Sequence, residues 1–462
     1  MILIYFLLYI IIALSMVFMQ PFGNPPDEYN RYLIPEYIAK YGTLPNGYEE
    51  EIRIEGYGFS YAFQPILPYM LQGFAMRAVS VFCDSHEVLL YTGRLVNFTL
   101  GLLMALFVLL LSRKWFSDKR LAWLFSFLVT FLPQSLFLHT YVNTDSCCML
   151  SIAILLYGLT RGIEDRFSPS SCVLMSVGII LCALSYYNAY GYILSCILLF
   201  TAFFLSKKDQ RLCFDVKPFL KYGIFISVLV LLGIGWWFLR SYLLYDGDFL
   251  GMRSRDICAM IYADPKFDPE TRITCQNQGI SVWQMLLYSD FVNLSVLSFI
   301  GMYGAMSIVT SVWVYRFYKL LFAAGIFLAI IFSVLPQDRD AGENQGFLPR
   351  LSRIRPAYTV FFHWNMIFCI AMPCILSVYY SYTADYQPQG RYLLPGLIPL
   401  AYYCVNGLYS GILALKKPVK KISSGHLLTG LCTVLCILIV ISLLVTVYGY
   451  AYPYYLANPV AP

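Results

Sequence analysis

The sequence predicts an all-α integral membrane protein that crosses the bilayer about eleven times. Of its 462 residues, 59% are hydrophobic and only 13% are charged, and the mean hydropathy is +0.65, unlike a water-soluble globule. The apolar runs are each about 18–25 residues long, enough for a helix to cross a hydrocarbon layer of ~30 Å. A closed barrel would show short alternating strands instead, so the runs indicate helices.

The spans follow one another with no internal repeat and no boundary at which a soluble domain would begin. We therefore expect residues 1–462 to form a single transmembrane domain. The first apolar run lacks the basic leader and small-residue cleavage site of a signal peptide, and we interpret it as a retained span. The spans are predicted at residues 2–20, 88–112, 121–138, 146–161, 171–187, 190–206, 221–240, 313–335, 357–380, 393–414 and 427–450.

Two connecting segments are long enough to carry structure of their own. Residues 21–87 form the first outer loop, in which the aromatic stretch Tyr29 to Tyr41 and the run from Gln64 to Phe82 predict two helices along the membrane surface. Residues 241–312 form a second large outer loop, partly interfacial. Cys258 and Cys275 share that loop, where a disulfide in an oxidising compartment and two free thiols are both open.

The distribution of basic residues predicts the orientation. They crowd into five short loops, which the positive-inside rule assigns to the cytoplasm, and this places the first outer loop on the extracytoplasmic side of a multi-pass plasma (cytoplasmic) membrane protein. The charges are spread over many loops rather than gathered on one face, so we expect no nucleic-acid partner. The basic residues are Arg113, Lys114, Lys119, Arg120, Arg161, Arg166, Lys207, Lys208, Arg211, Lys217, Lys221, Arg339, Arg350, Arg353, Arg355, Lys416, Lys417, Lys420 and Lys421.

The sequence Pro25-Pro26-Asp27-Glu28 follows directly on the first span. An acidic group at bilayer depth costs roughly 2.5–3.5 kcal/mol or more, so we expect the two carboxylates to face a wet cavity. The alternative is that they only end the span and face bulk water. Because much of the remaining chain can enclose the pair, we treat Asp27 and Glu28 as the centre of a candidate site.

Further acids and cations lie near the predicted outer ends of spans. Carboxylates beside arginines suit a reaction in which a hydroxyl group loses a proton while a phosphate is held and released. Arginine is the expected clamp, because its guanidinium group binds phosphate oxygens in pairs and stays charged. Besides Asp27 and Glu28, these are the acids Asp145 and Asp385 and the cations Arg31, Arg94, Arg240 and Arg391.

Several of these candidates also have a structural explanation. Asp145 precedes Ser146 at a predicted helix start, where it can cap the helix, and Arg94 and Arg240 can extend toward the interface. The stretch Gln389 to Tyr392 is harder to explain in this way. Its glycine permits close backbone approach beside a guanidinium group, which favours a role in a site.

No motif for a soluble activated substrate is present. The chain has neither a glycine-rich nucleotide loop nor a serine nucleophile elbow, and the candidate chemistry lies on the outer side. The activated substrate is therefore expected to arrive in the membrane, as a lipid-phosphate donor does. No Cys/His cluster has the spacing of a zinc site, so the sequence requires no metal and leaves a divalent ion open.

The order of short motifs resembles the GT-C superfamily of membrane glycosyltransferases. Within it the chain is most similar to a bacterial branch of predicted membrane proteins, and the likeness covers almost the whole chain in order. The motifs are Pro25 to Glu28, Pro65 to Gln72, Arg94-Leu95 with Asn97, Asn143-Thr144-Asp145, Arg240 after aromatic residues, and Gln389-Gly390-Arg391-Tyr392 before a span.

This resemblance implies transfer of a sugar from a polyprenyl phosphate to a hydroxyl group of a glycan, lipid or cell-envelope acceptor, with inversion. It implies Asp27 as general base, assisted by Glu28 at the acceptor or a metal. The donor phosphate would be held by Arg391, Arg240 and Arg94. The remaining candidates for substrate binding are Asn143, Asp145, Gln389, Tyr392 and Arg31.

Two positions depart from the branch, and both put the phosphate ligands in doubt. Arg31 stands where its members commonly carry a histidine, and Tyr186-Tyr187-Asn188 stands where they often carry a lysine.

Two other functions stay open from the sequence. A lipid-linked glycan flippase or transporter would need a polar path through the spans, whereas the polar groups here gather at one end. A glycan polymerase or ligase would need a large outer groove.

Overall fold

The computed structural model describes residues 1–208, 211–334, 347–416 and 424–458, and these fold almost entirely into helices. The all-α class is therefore confirmed. The helices are α1 Ile2–Met19, α2 Glu28–Tyr41, α3 Leu67–Ser80, α4 His86–Trp115, α5 Lys119–Thr130, α6 Pro133–Leu138, α7 Asp145–Asp165, α8 Pro169–Ala183, α9 Tyr190–Phe203, α10 Val216–Leu244, α11 Met252–Tyr262, α12 Val282–Tyr288, α13 Phe291–Gly301, α14 Val312–Val334, α15 Phe347–Ile354, α16 Pro356–Thr383, α17 Leu397–Lys416, α18 Ser424–Leu444 and α19 Tyr452–Ala457.

Short elements join these helices. Four short strands form two antiparallel pairs, in which β1 pairs with β2 and β3 pairs with β4. The bounds are β1 Leu205–Lys208, β2 Arg211–Phe214, β3 Met302–Tyr303 and β4 Ile308–Val309, with 3₁₀ turns at Glu50–Ile52, Tyr61–Phe63, Tyr187–Ala189 and Gly390–Gly396 and a π-helical turn at Val445–Ala451.

Eight helical segments in the described ranges are long and apolar enough to cross a membrane, which confirms the polytopic membrane class. Three further apolar helices are shorter, so the predicted number of eleven spans is not established. The long segments are Ile2–Met19, His86–Trp115, Asp145–Asp165, Val216–Leu244, Val312–Phe332, Pro356–Thr383, Gly390–Ala414 and Gly425–Ala457; the shorter ones are Pro169–Ala183, Tyr187–Phe203 and Phe291–Gly301.

The prediction of one continuous span at 121–138 is wrong, because the chain forms two helices there, α5 and α6. Leu132 is extended, with φ −56° and ψ 125°, a ψ angle typical of a residue that precedes proline, and Pro133 begins the second helix. Proline has no N–H to continue the hydrogen-bond ladder of α5, so the break is encoded locally.

The two helices predicted in the first long loop are present as α2 and α3, which pack against each other and, through α3, against α4. Helix α2 ends at Gly42, whose φ of 70° is the left-handed cap that glycine supplies at least cost. Cys258 and Cys275 are free thiols in the structure, and Cys258 Sγ contacts the carbonyl oxygen of Gly58 at 3.3 Å. Of the two alternatives that the sequence leaves for this cysteine pair, the structure therefore has the free thiols.

The helix bundle has two chemically different ends. Helices α4 and α7 both run from one end, near Asp27, to the other, where Glu164 pairs with Lys114 at 2.7 Å and with Arg350 at 2.5 Å. Arg120 donates to the carbonyl oxygen of Gly425 at the second end. Basic loops thus meet at this "Glu164 end", whereas Asp27 marks the "Asp27 end". Arg339, Lys417, Lys420 and Lys421 lie outside the described residues.

Helices α14 and α17 pack at backbone distance. A Cβ atom added to Gly407 would lie 1.8 Å from the carbonyl oxygen of Gly325, so only glycine allows this approach. Small residues are the usual means by which helices associate tightly in membranes.

We expect Gly407→Val to destabilise the bundle by more than the roughly 1–3 kcal/mol that is typical of overpacking, because the clash is with backbone atoms that cannot rotate away. Thermal unfolding in detergent measures this. Gly430→Val is the matched control, since a Cβ atom at Gly430 meets nothing within 4 Å. Equal stability of the two variants would contradict the packing account.

Candidate active site

Asp27 occupies a strained backbone position at the start of α2. Its φ of 61° lies in the left-handed region, which non-glycine residues rarely enter and which aspartate tolerates better than most. The two prolines before it have fixed φ angles and deliver the chain from α1 into this turn. The backbone therefore presents the Asp27 side chain at a fixed place beside the end of α1.

Asp27 lies against two buried arginines, of which Arg31 is on the following turn of α2 and Arg391 is distant in the sequence. Arg391 Nη2 donates to Asp27 Oδ2 at 2.5 Å, and Arg31 Nη2 lies 3.7 Å from the same oxygen. Arg391 is 3% exposed and Arg31 is 5% exposed, whereas the side chain of Asp27 keeps 33% of its surface accessible. Burial alone would raise the pKa of the Asp27 carboxyl group, but the two guanidinium groups outweigh burial and lower that pKa to about 2.

The cluster contains polar atoms that lack a partner in the described part of the chain. Arg391 has its Nε and Nη1 buried without an acceptor, and Arg31 has its Nε in the same condition. Asp145 Oδ2 and the Tyr141 hydroxyl group are also buried and unpaired. Arg391 interacts electrostatically with both Tyr141 and Asp145, so these groups surround one small polar region.

Neighbouring residues fix the two guanidinium groups. Arg31 Nη1 donates to the Tyr69 hydroxyl at 3.2 Å and to Thr144 Oγ1 at 3.0 Å, and the guanidinium lies over the Tyr61 ring. Arg391 Nη2 also donates to the Tyr392 hydroxyl at 3.1 Å. Both cations are therefore oriented before any ligand arrives.

Gly390 places Arg391 by close contact with α13. A Cβ atom on Gly390 would lie 1.9 Å from the backbone nitrogen of Phe299, and the Gly390 N–H donates to Ser298 Oγ at 2.7 Å. This is the close approach that the sequence predicted for the Gln-Gly-Arg-Tyr stretch. The second long loop, through α13, thus supports the arginine that contacts Asp27.

Glu28 and Arg94 form a separate, fully buried ion pair. Arg94 Nε donates to Glu28 Oε1 at 2.8 Å and Arg94 Nη2 donates to Glu28 Oε2 at 2.6 Å, with both side chains 0% exposed. The remaining N–H groups of Arg94 donate to the carbonyl oxygens of Val17, Gln20 and Pro21. All five donors of the guanidinium are therefore used.

Glu28 is equally saturated. Besides Arg94, its carboxylate accepts the N–H groups of Val142 at 3.1 Å and Gly23 at 3.4 Å. The expectation that Arg94 holds donor phosphate and that Glu28 takes part in the chemistry does not fit this geometry, because neither side chain has a donor or acceptor left. We correct both to structural roles.

Arg240 and Asn143 also make structural contacts. Arg240 Nη2 donates to the carbonyl oxygen of Pro45 at 2.7 Å, and its guanidinium lies over Trp237, so it joins helix α10 to the first long loop rather than contacting Asp27. Asn143 donates to the carbonyl oxygens of Leu138 and Tyr141 and accepts the Ser146 N–H. Arg240 Nη1 is buried without a described partner, so its expected phosphate role stays a prediction. The described contacts of Asn143 are structural and do not support its expected substrate role.

Gln389 and Tyr392 lie beside Arg391 as the motif predicts. Gln389 Oε1 is buried without a described partner, and the Tyr392 hydroxyl donates to Gln387 Oε1 at 2.5 Å. Asp385, two residues before Gln387, accepts a hydrogen bond from Gln387 Nε2 at 2.6 Å.

Sequence reasoning missed the aromatic part of this cluster. Tyr61 and Tyr69 flank Arg31, Tyr141 faces Arg391, and Tyr186 interacts electrostatically with both arginines. With 39 tyrosines in the chain, the sequence carries no signal that separates these from the rest. Only the fold brings them together.

The described residues contain no group of three or more His, Cys, Asp or Glu side chains that could hold a metal ion. Asp27 and Asp145 are the two carboxylates of the cluster, and Asp27 already faces two cations.

A family model described as "Predicted membrane protein (DUF2142)" matches residues 50–401. The chain belongs to this family. The match contains Asp145 and the Gln389 to Tyr392 stretch, and it begins after Asp27 and Arg31. No curated protein matches the sequence.

Solved structures show the same kind of fold. The oligosaccharyltransferase AglB from Archaeoglobus fulgidus, in complex with an inhibitory peptide and a dolichol-phosphate, has a TM-score of 0.50 and 15% identity, over 98% of this chain and 56% of that one. The Archaeoglobus fulgidus oligosaccharyltransferase in complex with Zn and sulfate also gives 0.50 and 15%, over 94% and 53%.

The fold is therefore GT-C-like, as the resemblance implies, and the chain spans little more than half of these enzymes. The narrower likeness to a bacterial branch stays a prediction.

We expect Glu28→Gln and Arg94→Gln each to cost about 3–5 kcal/mol of stability, because each leaves the partner's charge buried and unpaired. The double variant should cost less than the sum of the two, since no lone charge remains. Unfolding in detergent measures the cycle. Wild-type stability in Arg94→Gln, together with weaker binding of a lipid phosphate, would contradict the structural role.

Proposed function

We propose that the protein is a glycosyltransferase that moves a sugar from a polyprenyl-phosphate donor to an acceptor hydroxyl group at the extracytoplasmic face of the membrane. The observation that carries this proposal is the buried N–H groups of Arg391 and Arg31 that have no acceptor, beside the accessible carboxylate of Asp27. Such a transfer needs a carboxylate that can take a proton and cationic N–H donors that can hold a phosphate.

A phosphate group satisfies the orphaned donors. Leaving a buried donor unpaired costs about 1–3 kcal/mol, more when the group is charged. A phosphate oxygen accepts strongly from guanidinium groups, and Arg391 offers two free nitrogens of one planar group. Arg391 and Arg31, which both lie against Asp27, are therefore the proposed phosphate ligands. Arg94 is not proposed, because all five of its donors are used, and Arg240 is not proposed, because its described contacts are with Pro45 and Trp237 rather than with Asp27, although its Nη1 is also orphaned.

The membrane supplies the donor. Arg391 stands at the start of the candidate span Gly390–Ala414, so a phosphate bound there can carry an isoprenoid chain into the bilayer. The basic loops meet at the Glu164 end, which by the positive-inside rule is cytoplasmic, so the Asp27 end is extracytoplasmic. The AglB structure with dolichol-phosphate supports this class of donor for the fold.

In the proposed reaction the acceptor oxygen attacks the anomeric carbon while its proton passes to Asp27. The bond between that carbon and the phosphate oxygen breaks, and the phosphate leaves with the electron pair. Arg391 and Arg31 stabilise the charge that develops on the phosphate. Attack opposite the leaving group inverts the anomeric carbon.

The ion pairs of Asp27 set a condition on this role. A carboxylate with a pKa of about 2 is a weak base at neutral pH, because both guanidinium groups favour its ionised form. When a phosphate occupies those guanidinium groups, its negative charge opposes them and raises the pKa of Asp27. Donor binding therefore makes Asp27 a stronger base at the moment when it is needed.

The orphaned acceptors suit a sugar. Asp145 Oδ2 and Gln389 Oε1 can each accept a hydrogen bond from a sugar hydroxyl. The tyrosines of the cluster, Tyr61, Tyr141 and Tyr392 among them, add apolar faces with hydroxyl groups at their rims. We assign Asp145, Gln389 and Tyr392 to the donor sugar or acceptor.

We expect Asp27→Asn to lower the rate of transfer by about 10²–10⁴-fold, because a positioned base is lost while the left-handed backbone remains tolerated by asparagine. The assay incubates purified protein with a panel of polyprenyl-phosphate sugars and follows sugar release or transfer. Asp84→Asn, an exposed acid in the same loop, is the control. Wild-type rates in Asp27→Asn would rule the base out, and lipid movement across vesicles that survives the substitution would indicate a transporter.

A second prediction concerns pH. In the free enzyme Asp27 stays ionised down to a pKa of about 2, so kcat/KM should show no acidic limb from this group above about pH 3. In the donor complex the pKa is raised, so the limb should appear in kcat at higher pH. Steady-state profiles of both constants measure the difference. Identical acidic limbs in kcat and kcat/KM would contradict the role of phosphate in tuning Asp27.

A further inference from the structure

The Glu164 end contains a cavity that the proposed transfer does not use. Its volume is about 540 Å³, far more than the ~30 Å³ that one water molecule occupies. It lies where the ends of α4, α7 and α9 meet α15 and the start of α16. The cavity is therefore at the opposite end of the bundle from Asp27.

The lining of this cavity is strongly cationic. Lys114, Arg166, Arg350 and Arg355 face it together with one acid, Glu164. Glu164 already pairs with both Lys114 and Arg350, so its single negative charge is shared between two cations. Among the described residues, neither Arg166 nor Arg355 has a carboxylate partner, which leaves an excess of positive charge.

Packing against Phe203 holds Arg355 at the rim of the cavity. Arg355 Nη1 donates to the carbonyl oxygen of Phe203 at 2.5 Å, and its guanidinium lies 4.4 Å from the centre of the Phe203 ring. These contacts occupy one nitrogen of the guanidinium and leave the others for a ligand. Arg355 is therefore oriented toward the cavity in advance.

Helix α15 gives the cavity an amphipathic wall. Phe347 and Leu351 are buried on the inner face, Arg350 is on the rim, and Ile354 is 77% exposed beside Arg355. The buried apolar side of this helix packs against the protein, where Phe347 contacts Phe362, and the exposed Ile354 is the apolar residue left to contact acyl chains. Charge and apolar surface thus meet at the boundary between headgroups and hydrocarbon.

We propose that this cavity binds the phosphate headgroup of an anionic membrane lipid. Basic pockets between membrane helices at the cytoplasmic side recognise such headgroups, because several cations converge on one phosphate. The exposed Ile354 provides contact for the first part of the acyl chains. A soluble phosphate shares the charge but gains nothing from the apolar wall. The inference stands apart from the glycosyl transfer, since it involves the other end of the molecule.

The test titrates the full-length protein, in a neutral detergent, with phosphatidylglycerol and with phosphatidylcholine of the same acyl chains, followed by native mass spectrometry. We expect phosphatidylglycerol to stay bound in preference to phosphatidylcholine. The variant Arg166→Gln/Arg350→Gln/Arg355→Gln should bind it at least about tenfold more weakly, because three of the converging cations are gone. Lys114 is kept, so Glu164 does not lose both partners.

The matched control is Arg113→Gln/Lys119→Gln/Lys217→Gln, which removes the same charge from exposed residues near the same end but outside the cavity lining. It should bind like the wild type. Equal losses in both triple variants, or no preference for phosphatidylglycerol, would overturn the proposal. Unfolding temperatures in detergent without added lipid must agree between the variants and the wild type.

Binding of sn-glycerol 3-phosphate as tight as that of the lipid would overturn the lipid assignment and leave a soluble phosphate as the occupant.

Discussion

The buried pair of Glu28 and Arg94 is the constraint on which the rest of the structure depends. Arg94 in α4 is shielded from solvent and donates hydrogen bonds to carbonyl groups at the end of α1. Glu28 accepts hydrogen bonds from N–H groups of the turn before α2 and of the loop before α7. Four segments therefore converge on two side chains. A pair with every donor and acceptor satisfied is costly to break, which fixes where α2 begins.

Adjacent acids have opposite tasks because their surroundings differ. Glu28 is buried with all its hydrogen-bonding positions used, so its role is structural. Asp27 instead keeps a third of its side-chain surface accessible, and the two arginines beside it have N–H groups without an acceptor. The anchoring of Glu28 is what allows its neighbour to remain in a strained, open position. A strained residue held in place by well-satisfied neighbours is a feature that clusters at functional sites, and it agrees with the proposed role of Asp27.

The sequence predicts the membrane class, both helices of the first loop and the meeting of Asp27 with Arg391, because span length, periodicity and charge at span ends are local signals. It does not distinguish Arg94 from Arg391: both are arginines near a span end, and their difference lies in backbone carbonyl groups that only the fold brings close. The break at Pro133 is local, and it was missed because hydrophobicity continues through it. The tyrosines around Arg31 carry no pattern at all.

The positive φ angle of Asp27 narrows the amino acids that natural relatives can use there. Backbone geometry alone admits glycine, asparagine and aspartate far more readily than longer or branched side chains. Glutamate carries the same charge, yet its backbone enters the left-handed region less readily than that of aspartate. Amino-acid substitution at this position is thus confined to a few short residues, and aspartate is the one acidic residue among them.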